Sequence, residues 1–345
     1  MTTLSQFFPS GSGGGGGTPG IPLEMLLVSG GGGKGSGSDG PPYSWAGGGG
    51  AIEYVNSYPV QPGTTLTVTV GQGGACGTPG SPGTPGSNGG SSSVLDPTGQ
   101  RFHVLGGGGG GRCVGSCPGL PGGTGGGGGM GPSYGGSCGL GGEGAYYVGT
   151  PSSIMCITKN VICRCTFGSP CNQVSYDMAC QDFLKTQYGF KGGFPGSTFV
   201  NPGGPTFSGG SGGAGGQIGG MYIPPACPSP GTLAFCYPIY NGFVSSIEGT
   251  EKVYGLGGVA AGNLCFVCYS SALCRDTCCP NQGWGHGGAY FLCYTSGQDG
   301  VVIIKYPDAF AAASPTAYPG ATDISPSTPG YRTYRFTSTG TLTLP

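Results

Sequence analysis

Charge is scarce in this chain. Twelve Lys and Arg and thirteen Asp and Glu make up 7% of 345 residues, with a net charge of −1. Globular domains usually carry ~25%. No basic footprint points to nucleic acid or to an anionic membrane. The high net charge that marks one class of disordered chain is absent as well. Long apolar runs are also missing. Stretches such as residues 25–28 and 301–304 stay far below the ~20 residues that span a bilayer, so no membrane span is expected. Residues 1–9, Met-Thr-Thr-Leu-Ser-Gln-Phe-Phe-Pro, lack a basic start and a continuous apolar stretch and do not read as a signal peptide. There is no Asn-x-Ser/Thr acceptor, which disfavours a secreted glycoprotein. Only two histidines, His103 and His286, are available as imidazole bases.

What the chain has instead is glycine, 83 residues of it, together with 19 Tyr, 15 Phe and 17 Cys. Much of the glycine comes in runs, at 13–17, 30–33, 47–50, 106–111 and 125–129. Ordering glycine costs more entropy than ordering any other residue. Such runs must stay flexible or recover that cost through backbone hydrogen bonds. One ordered solution exists. Without Cβ atoms, left-handed polyproline-II-type helices can pack side by side and bond to one another, and a six-residue run such as 106–111 would span ~19 Å. The alternative is flexible linker. The neighbours Tyr43, Trp45, Tyr134, Tyr146 and Tyr147 favour the ordered slab, because aromatic rings gain from burial.

Strands are expected at 23–28, 51–58, 64–70, 101–105, 301–306 and 331–344. In the third, Leu66, Val68 and Val70 alternate with Thr65, Thr67 and Thr69, the period of a half-buried strand. Residues 78–86 form three Thr/Ser-Pro-Gly triplets. Three are too few for a collagen helix, so a local extended segment or turn is expected. The one helix candidate covers 177–188, with Ser175 as its cap and Gly189 as its stop. The segments are drawn at 1–20, an arm and hinge; 21–144, a Gly-rich domain; 145–191, a Cys-rich insert; 192–226, a second Gly-rich block; 227–295, a second Cys-rich insert; and 296–345, a β-rich end. The expected fold is mainly β with packed polyglycine-II helices: a Gly-rich sandwich with two Cys-rich inserts and little helix.

Candidate chemistry is thin. The run 30–33 followed by Lys34 looks briefly like a phosphate loop. That motif needs Ser or Thr after the Lys and Gly five residues before it, and Gly35 and Ser29 stand there. His286, just after Trp284, could formally pair with a cysteine, but no carboxylate stands out to orient it. It reads as a solvent-facing or ligand-contacting residue. The densest thiol cluster is Cys265, Cys268, Cys274, Cys278 and Cys279. The first four could hold zinc, but their spacing is not that of a zinc ribbon. Disulfides within each insert are the expected pairing. The first insert holds Cys156, Cys163, Cys165, Cys171 and Cys180. The second holds Cys227, Cys236, Cys265, Cys268, Cys274, Cys278, Cys279 and Cys293. An odd cysteine count leaves at least one thiol unpaired or shared between chains. No cofactor is implied. Disulfides without an export signal suit a virus particle made in cytosol and released by lysis.

Several ordered stretches carry a resemblance. Leu26-Leu27-Val28-Ser29 leads into the run 30–33, then come run 47–50, Thr67-Val68-Thr69-Val70-Gly71-Gln72-Gly73-Gly74, Asn88-Gly89-Gly90-Ser91-Ser92 and run 106–111. Together they resemble the glycine-rich domain of bacteriophage tail-fibre and receptor-binding virion proteins. Val301-Val302-Ile303-Ile304-Lys305-Tyr306 looks like the strand that closes this domain. The end of the chain, 330–343, is similar to β-rich ends in virion proteins of marine phages, including those of cyanobacteria. The resemblance implies a non-enzymatic virion protein, a tail fibre or adhesin on the tail or capsid surface, and a homotrimer. Residues 1–10 resemble virion-anchoring arms, which makes Leu4, Phe7 and Phe8 the expected anchors on neighbouring virion proteins. Trp284, His286 and Tyr290 are the candidate contacts to a host-surface receptor, glycan or protein. The rival readings are a capsid-surface knob or decoration protein and a disulfide-held matrix protein with no specific ligand. The Cys-rich inserts depart from the family pattern.

Overall fold

The computed structural model describes residues 20–36, 47–78, 83–111, 119, 120, 122, 144–147, 154–158, 184–186, 188–192, 199–200, 207–208, 221–222, 242–255, 257, 284–287, 296–315, 321–325 and 328–345. The strands are β1 (Ile21–Val28), β2 (Ile52–Val60), β3 (Thr65–Thr69), β4 (Ser92–Leu95), β5 (Arg101–Val104), β6 (Gly144–Tyr147), β7 (Ile154–Thr158), β8 (Leu184–Thr186), β9 (Gly189–Gly192), β10 (Phe199–Val200), β11 (Phe207–Ser208), β12 (Met221–Tyr222), β13 (Gly242–Ser245), β14 (Lys252–Tyr254), β15 (Val301–Pro307), β16 (Ser314–Pro315), β17 (Ala321–Asp323), β18 (Tyr331–Phe336) and β19 (Gly340–Thr343). The described residues are mainly β and hold no helix.

Two sheets face each other. One runs β17-β18-β15-β1-β2-β9-β8 and the other β16-β19-β3-β4-β5. Strands from residues 296–345 thus pair directly with strands from 21–144, through β15 on β1 and β19 on β3. The alternation in β3 turns Leu66 and Val68 inward and the three threonines outward. They meet Ile21, Leu23, Met25 and Leu27 of β1, Val302, Ile304 and Tyr306 of β15, and Tyr334 and Phe336 of β18. Each large apolar side chain so buried contributes roughly 1.5–3 kcal/mol. β1 and β15 are buried on both faces. Leu26, Val28, Val301 and Ile303 point the other way and form a second core with Phe243, Ile247, Tyr254 and Trp284.

β4 lies in the Gly-rich domain 21–144, where no strand was expected between 70 and 101. Its partner β5 returns through an Asp96–Gly99 turn, in which Gly99 takes φ +88°. The Asp96 carboxylate accepts the amides of Thr98 and Gln100 and the Tyr58 hydroxyl. Burial alone would raise Asp96, but these hydrogen bonds outweigh it and hold the carboxyl below its ordinary value. Burial first, then the same contact, pushes the Tyr58 hydroxyl up to about 12.

The helix expected at 177–188 is corrected. Residues 184–186 are strand β8, paired to β9, and β9 in turn adds to β2 with Tyr54 opposite Phe190. Tyr188 sits between them and packs on Tyr58 and Phe102, with ring centroids 4.9 and 6.0 Å away. Tertiary pairing overrode a weak helical pattern. Residues 177–183 lie outside the described residues.

Past the ends of β1, β3 and β5, and before β2, β4 and β15, the chain continues as extended glycine-rich segments, all leaving the same end of the sandwich. Residues 29–36 run through the middle. Gly30, Gly33 and Ser36 donate to the carbonyls of Gly90, Ser87 and Thr84, while Gly31 donates to Gln298 and Gly32 to Gly48. The carbonyls of Gly30 and Gly33 accept from Gly107 and Gly110, and those of Gly31 and Lys34 from Gly74 and Gly77. Residues three apart therefore face the same neighbour.

The neighbours also bond to one another and close a ring around 29–36. Segment 47–50 joins 284–287 through Gly50 and Gly285, and 284–287 joins 296–300 through Gln298 and His286. Segment 296–300 joins 71–78 through Gly297 and Gly74, and 71–78 joins 83–90 through Ser87 and Ala75. Segment 83–90 joins 106–111 through Gly89 and Gly107, and Gly48 on Gly108 completes the circle. The packing is backbone on backbone. A Cβ at Gly31 would fall on the His286 carbonyl oxygen, and one at Gly32 on that of Gly108. Of the glycine runs named in the sequence, 13–17 and 125–129 lie outside the described residues.

Candidate functional site

The slab has a near end rooted in the sheets and a far end. Ser29 secures the near end, since its hydroxyl donates to the Leu105 carbonyl at 2.5 Å and lies 3.2 Å from that of Ala51. The Ser92 hydroxyl donates to the Val28 carbonyl at 2.8 Å and accepts the Gly71 amide at 3.0 Å.

The register sets what happens at the far end. Among the described residues, the segments ending at Ser36, Thr78 and Gly287 run outward from the sheets, and those starting at Gly47, Gly83 and Ser296 run back toward them. Segment 106–111 runs outward too, and the Leu120 amide bonds the Gly109 carbonyl at 2.8 Å while Gly122 lies against Gly106–Gly108. In each case the outgoing and returning segments are antiparallel members of one slab. The described residues that flank 37–46, 79–82, 112–118 and 288–295 therefore all lie at the same end. The sequences of these connections hold Tyr43, Trp45, Tyr290, Phe291 and Tyr294.

Lys34 is the one charged residue on the central segment, and it is half-buried between the buried Gly33 and Gly35. Burial lowers its pKa, and the neighbouring Cys76 thiol opposes that shift. Cys76 is exposed and forms no disulfide.

Of the predicted contact residues, Trp284 and His286 fall within the described residues. Trp284 is buried. It stacks on Tyr254 at 5.7 Å, with Lys252 Nζ 4.6 Å and the Arg335 guanidinium 5.2 Å from its ring centre. Beneath them the buried Glu248 carboxylate accepts Lys252 at 2.5 Å and Arg335 at 3.4 Å. Burial first, then Glu248, pushes the Tyr254 hydroxyl well above its ordinary value. This cluster docks the β13–β14 hairpin on the second face of the large sheet and anchors the segment starting at Gly285.

His286 is buried too, not solvent-facing as its sequence context suggested. Burial lowers its pKa to about 4, so it is a neutral imidazole at neutral pH and is not poised as a general base. Segment 284–287 is buried at every position, so the imidazole is enclosed, and a sequence pattern alone carries no sign of that. Tyr290 lies outside the described residues, as do Leu4, Phe7 and Phe8. Cys156 falls on β7, and the other insert cysteines lie outside the described residues. Those include Cys265, Cys268, Cys274 and Cys278, the weak zinc alternative. Among the described residues no group of three or more His, Cys, Asp or Glu could hold a metal ion. Among them, too, no helix is long and apolar enough to cross a membrane.

Two sequence signals mark these elements: the three-residue period of the 78–86 triplets extends as glycine at 71, 74, 77, 80, 83, 86 and 89, and Ser92-Ser93-Val94-Leu95 has the apolar, β-branched end of a short strand. Compared with known proteins, the chain matches a family model described as a glycine-rich domain over residues 20–307. No curated protein and no solved structure matches it. The match begins one residue before β1 and ends with β15, so it takes in the large sheet's centre and every slab segment. The chain belongs to the glycine-rich domain family.

Proposed function

We propose that this chain is a non-enzymatic phage virion protein, a tail fibre or adhesin, in which the slab carries surface connections toward the host cell. One observation supports this most directly: the described residues that flank 37–46, 79–82, 112–118 and 288–295 all lie at the slab end away from the sheets. A stiff base with aromatic-bearing connections suits recognition, because Tyr and Trp supply contact area at low entropic cost. On this reading Tyr43, Trp45 and Tyr290 are better contact candidates than the enclosed Trp284 and His286.

The three-residue bonding period is what polyglycine-II helices in hexagonal packing would produce, since that helix turns once every three residues. We assign the slab that geometry. The Cys-rich inserts would be held by internal disulfides, Leu4, Phe7 and Phe8 would dock the arm on another virion protein, and the assembly would be a homotrimer on the virion surface.

The test is adsorption. Preincubating the host bacterium with purified chain is expected to block adsorption of the phage that carries it. A Tyr43→Ala, Trp45→Ala, Tyr290→Ala variant should lose that block while melting like the parent. Undiminished adsorption, or antibody labelling that finds no copy of the chain on intact particles, would overturn the reading.

A further inference from the structure

The ring around residues 29–36 has two unlike sides. On one side, 47–50 and 106–111 are glycine at every position and buried at every position. A further layer lies on that side: Leu120 bonds Gly109, and the backbone at Gly122 rests against Gly106, Gly107 and Gly108. On the other side, 71–78 and 83–90 face solvent. There glycine holds every third position, and Gly71, Gly74, Gly77 and Gly86 are buried. The exposed positions between them carry side chains, among them Gln72, Ala75, Thr78, Thr84, Ser87 and Asn88.

The difference has a steric meaning. Layers in this slab approach so closely that a Cβ at Gly122 would press into the Gly106–Gly108 backbone, and one at Gly74 into the Ser87 carbonyl oxygen. A row bearing Cβ atoms outward therefore cannot accept another layer. The donors for one are present nonetheless. The amides of Gln72 and Ala75, three residues apart, have no partner among the described residues. That spacing is the one the slab uses in bonding Gly30 and Gly33 to a single neighbour. An exposed row of unpaired backbone groups invites pairing with another chain, and sheet proteins blunt such rows with side chains.

We propose that the side chains at 72, 75 and 78 are a lateral stop. They end the glycine lattice on its solvent side and keep it from taking up a glycine-rich segment of a second copy of this chain. The proposal concerns the slab alone and does not depend on what the far end binds.

The test compares two rows of substitutions in the full chain. Gln72→Gly, Ala75→Gly, Thr78→Gly opens the row. Gln72→Ala, Thr78→Ala removes the same polar groups but keeps every Cβ. Mass is followed by sedimentation velocity over a range of concentrations, with melting measured alongside. The glycine row is expected to associate reversibly, to at least twice the parent mass, and the alanine row to keep the parent mass. Parent mass for the glycine row overturns the proposal. So does equal association of both rows, which would trace the effect to lost polarity and not to the Cβ. Should the triple variant fail to fold, Ala75→Gly alone, which removes one methyl group, is expected to associate more weakly in the same way. Parent mass for that variant at its highest soluble concentration overturns the proposal too.

Discussion

Replacing Gly31 by Ala tests the slab most directly. Gly31 is on the central segment, where its amide donates to Gln298 and its carbonyl accepts from Gly74. The new methyl carbon would fall on the His286 carbonyl, with the Gly287 nitrogen 2.9 Å away. Both obstacles are backbone, the His286 carbonyl is held by the Gln298 amide, and neither can swing aside as a side chain would. Overpacking of this kind costs roughly 1–3 kcal/mol. Displacing the neighbours weakens two hydrogen bonds at about 1 kcal/mol each. Restricting the unfolded chain returns ~0.4–1 kcal/mol in the other direction. The net expectation is a loss of about 3 kcal/mol.

The control is Gly63→Ala in the β2–β3 turn. There φ is +77° and nothing lies within 4 Å of the added carbon, so only the left-handed backbone penalty of ~1–2 kcal/mol applies, less the same entropic return. Urea unfolding followed by fluorescence gives both values as shifts in midpoint at constant slope. A Gly31→Ala cost below that of Gly63→Ala would refute close backbone packing around the central segment.

Two further outcomes follow from the buried polar groups. Glu248→Gln leaves Lys252 and Arg335 together over Trp284 without their shared carboxylate. Breaking a buried pair costs ~3–5 kcal/mol, but both cations are partly exposed, so about 2 kcal/mol is expected, with a change in Trp284 emission; an unchanged midpoint would contradict the cluster's role. For His286 the folded pKa, about 4, lies below the ordinary 6.5. Between those values the unfolded chain binds a proton that the folded chain refuses, so stability falls as pH drops from about 6.5 toward 4, by ~3 kcal/mol in all. His286→Gln should flatten that part of the melting-temperature profile, and a profile unchanged by it would show that the imidazole is not buried.

Much of the sandwich was legible in the residues. Leu66, Val68 and Val70 alternate with threonines, and the run Val301–Ile304 between glycine and Lys305 has the length and branching of a strand buried on both faces. Helix against strand at 177–188 was not legible, because residues 184–186 and Tyr188 are set by β9 adding to β2 and by the Tyr58–Phe102 contact. The candidate site was legible only in part. Aromatic residues beside glycine runs were visible, but burial was not, so Trp284 and His286 looked like surface contacts.

Composition by itself determined that the glycine runs could be ordered only through their own backbone, since they have no side chains to bury and a high entropy to offset. The order of residues determined the alternation that makes a sandwich. Which run sits in the centre was decided only in three dimensions. Residues 30–33 and 106–111 are equally featureless as sequence. The first is central because β1, which leads into it, is the middle strand of the large sheet, while β5, which leads into the second, is an edge. Strand order is a property of long-range pairing, and that pairing alone brought the segments' otherwise identical backbones into one ring.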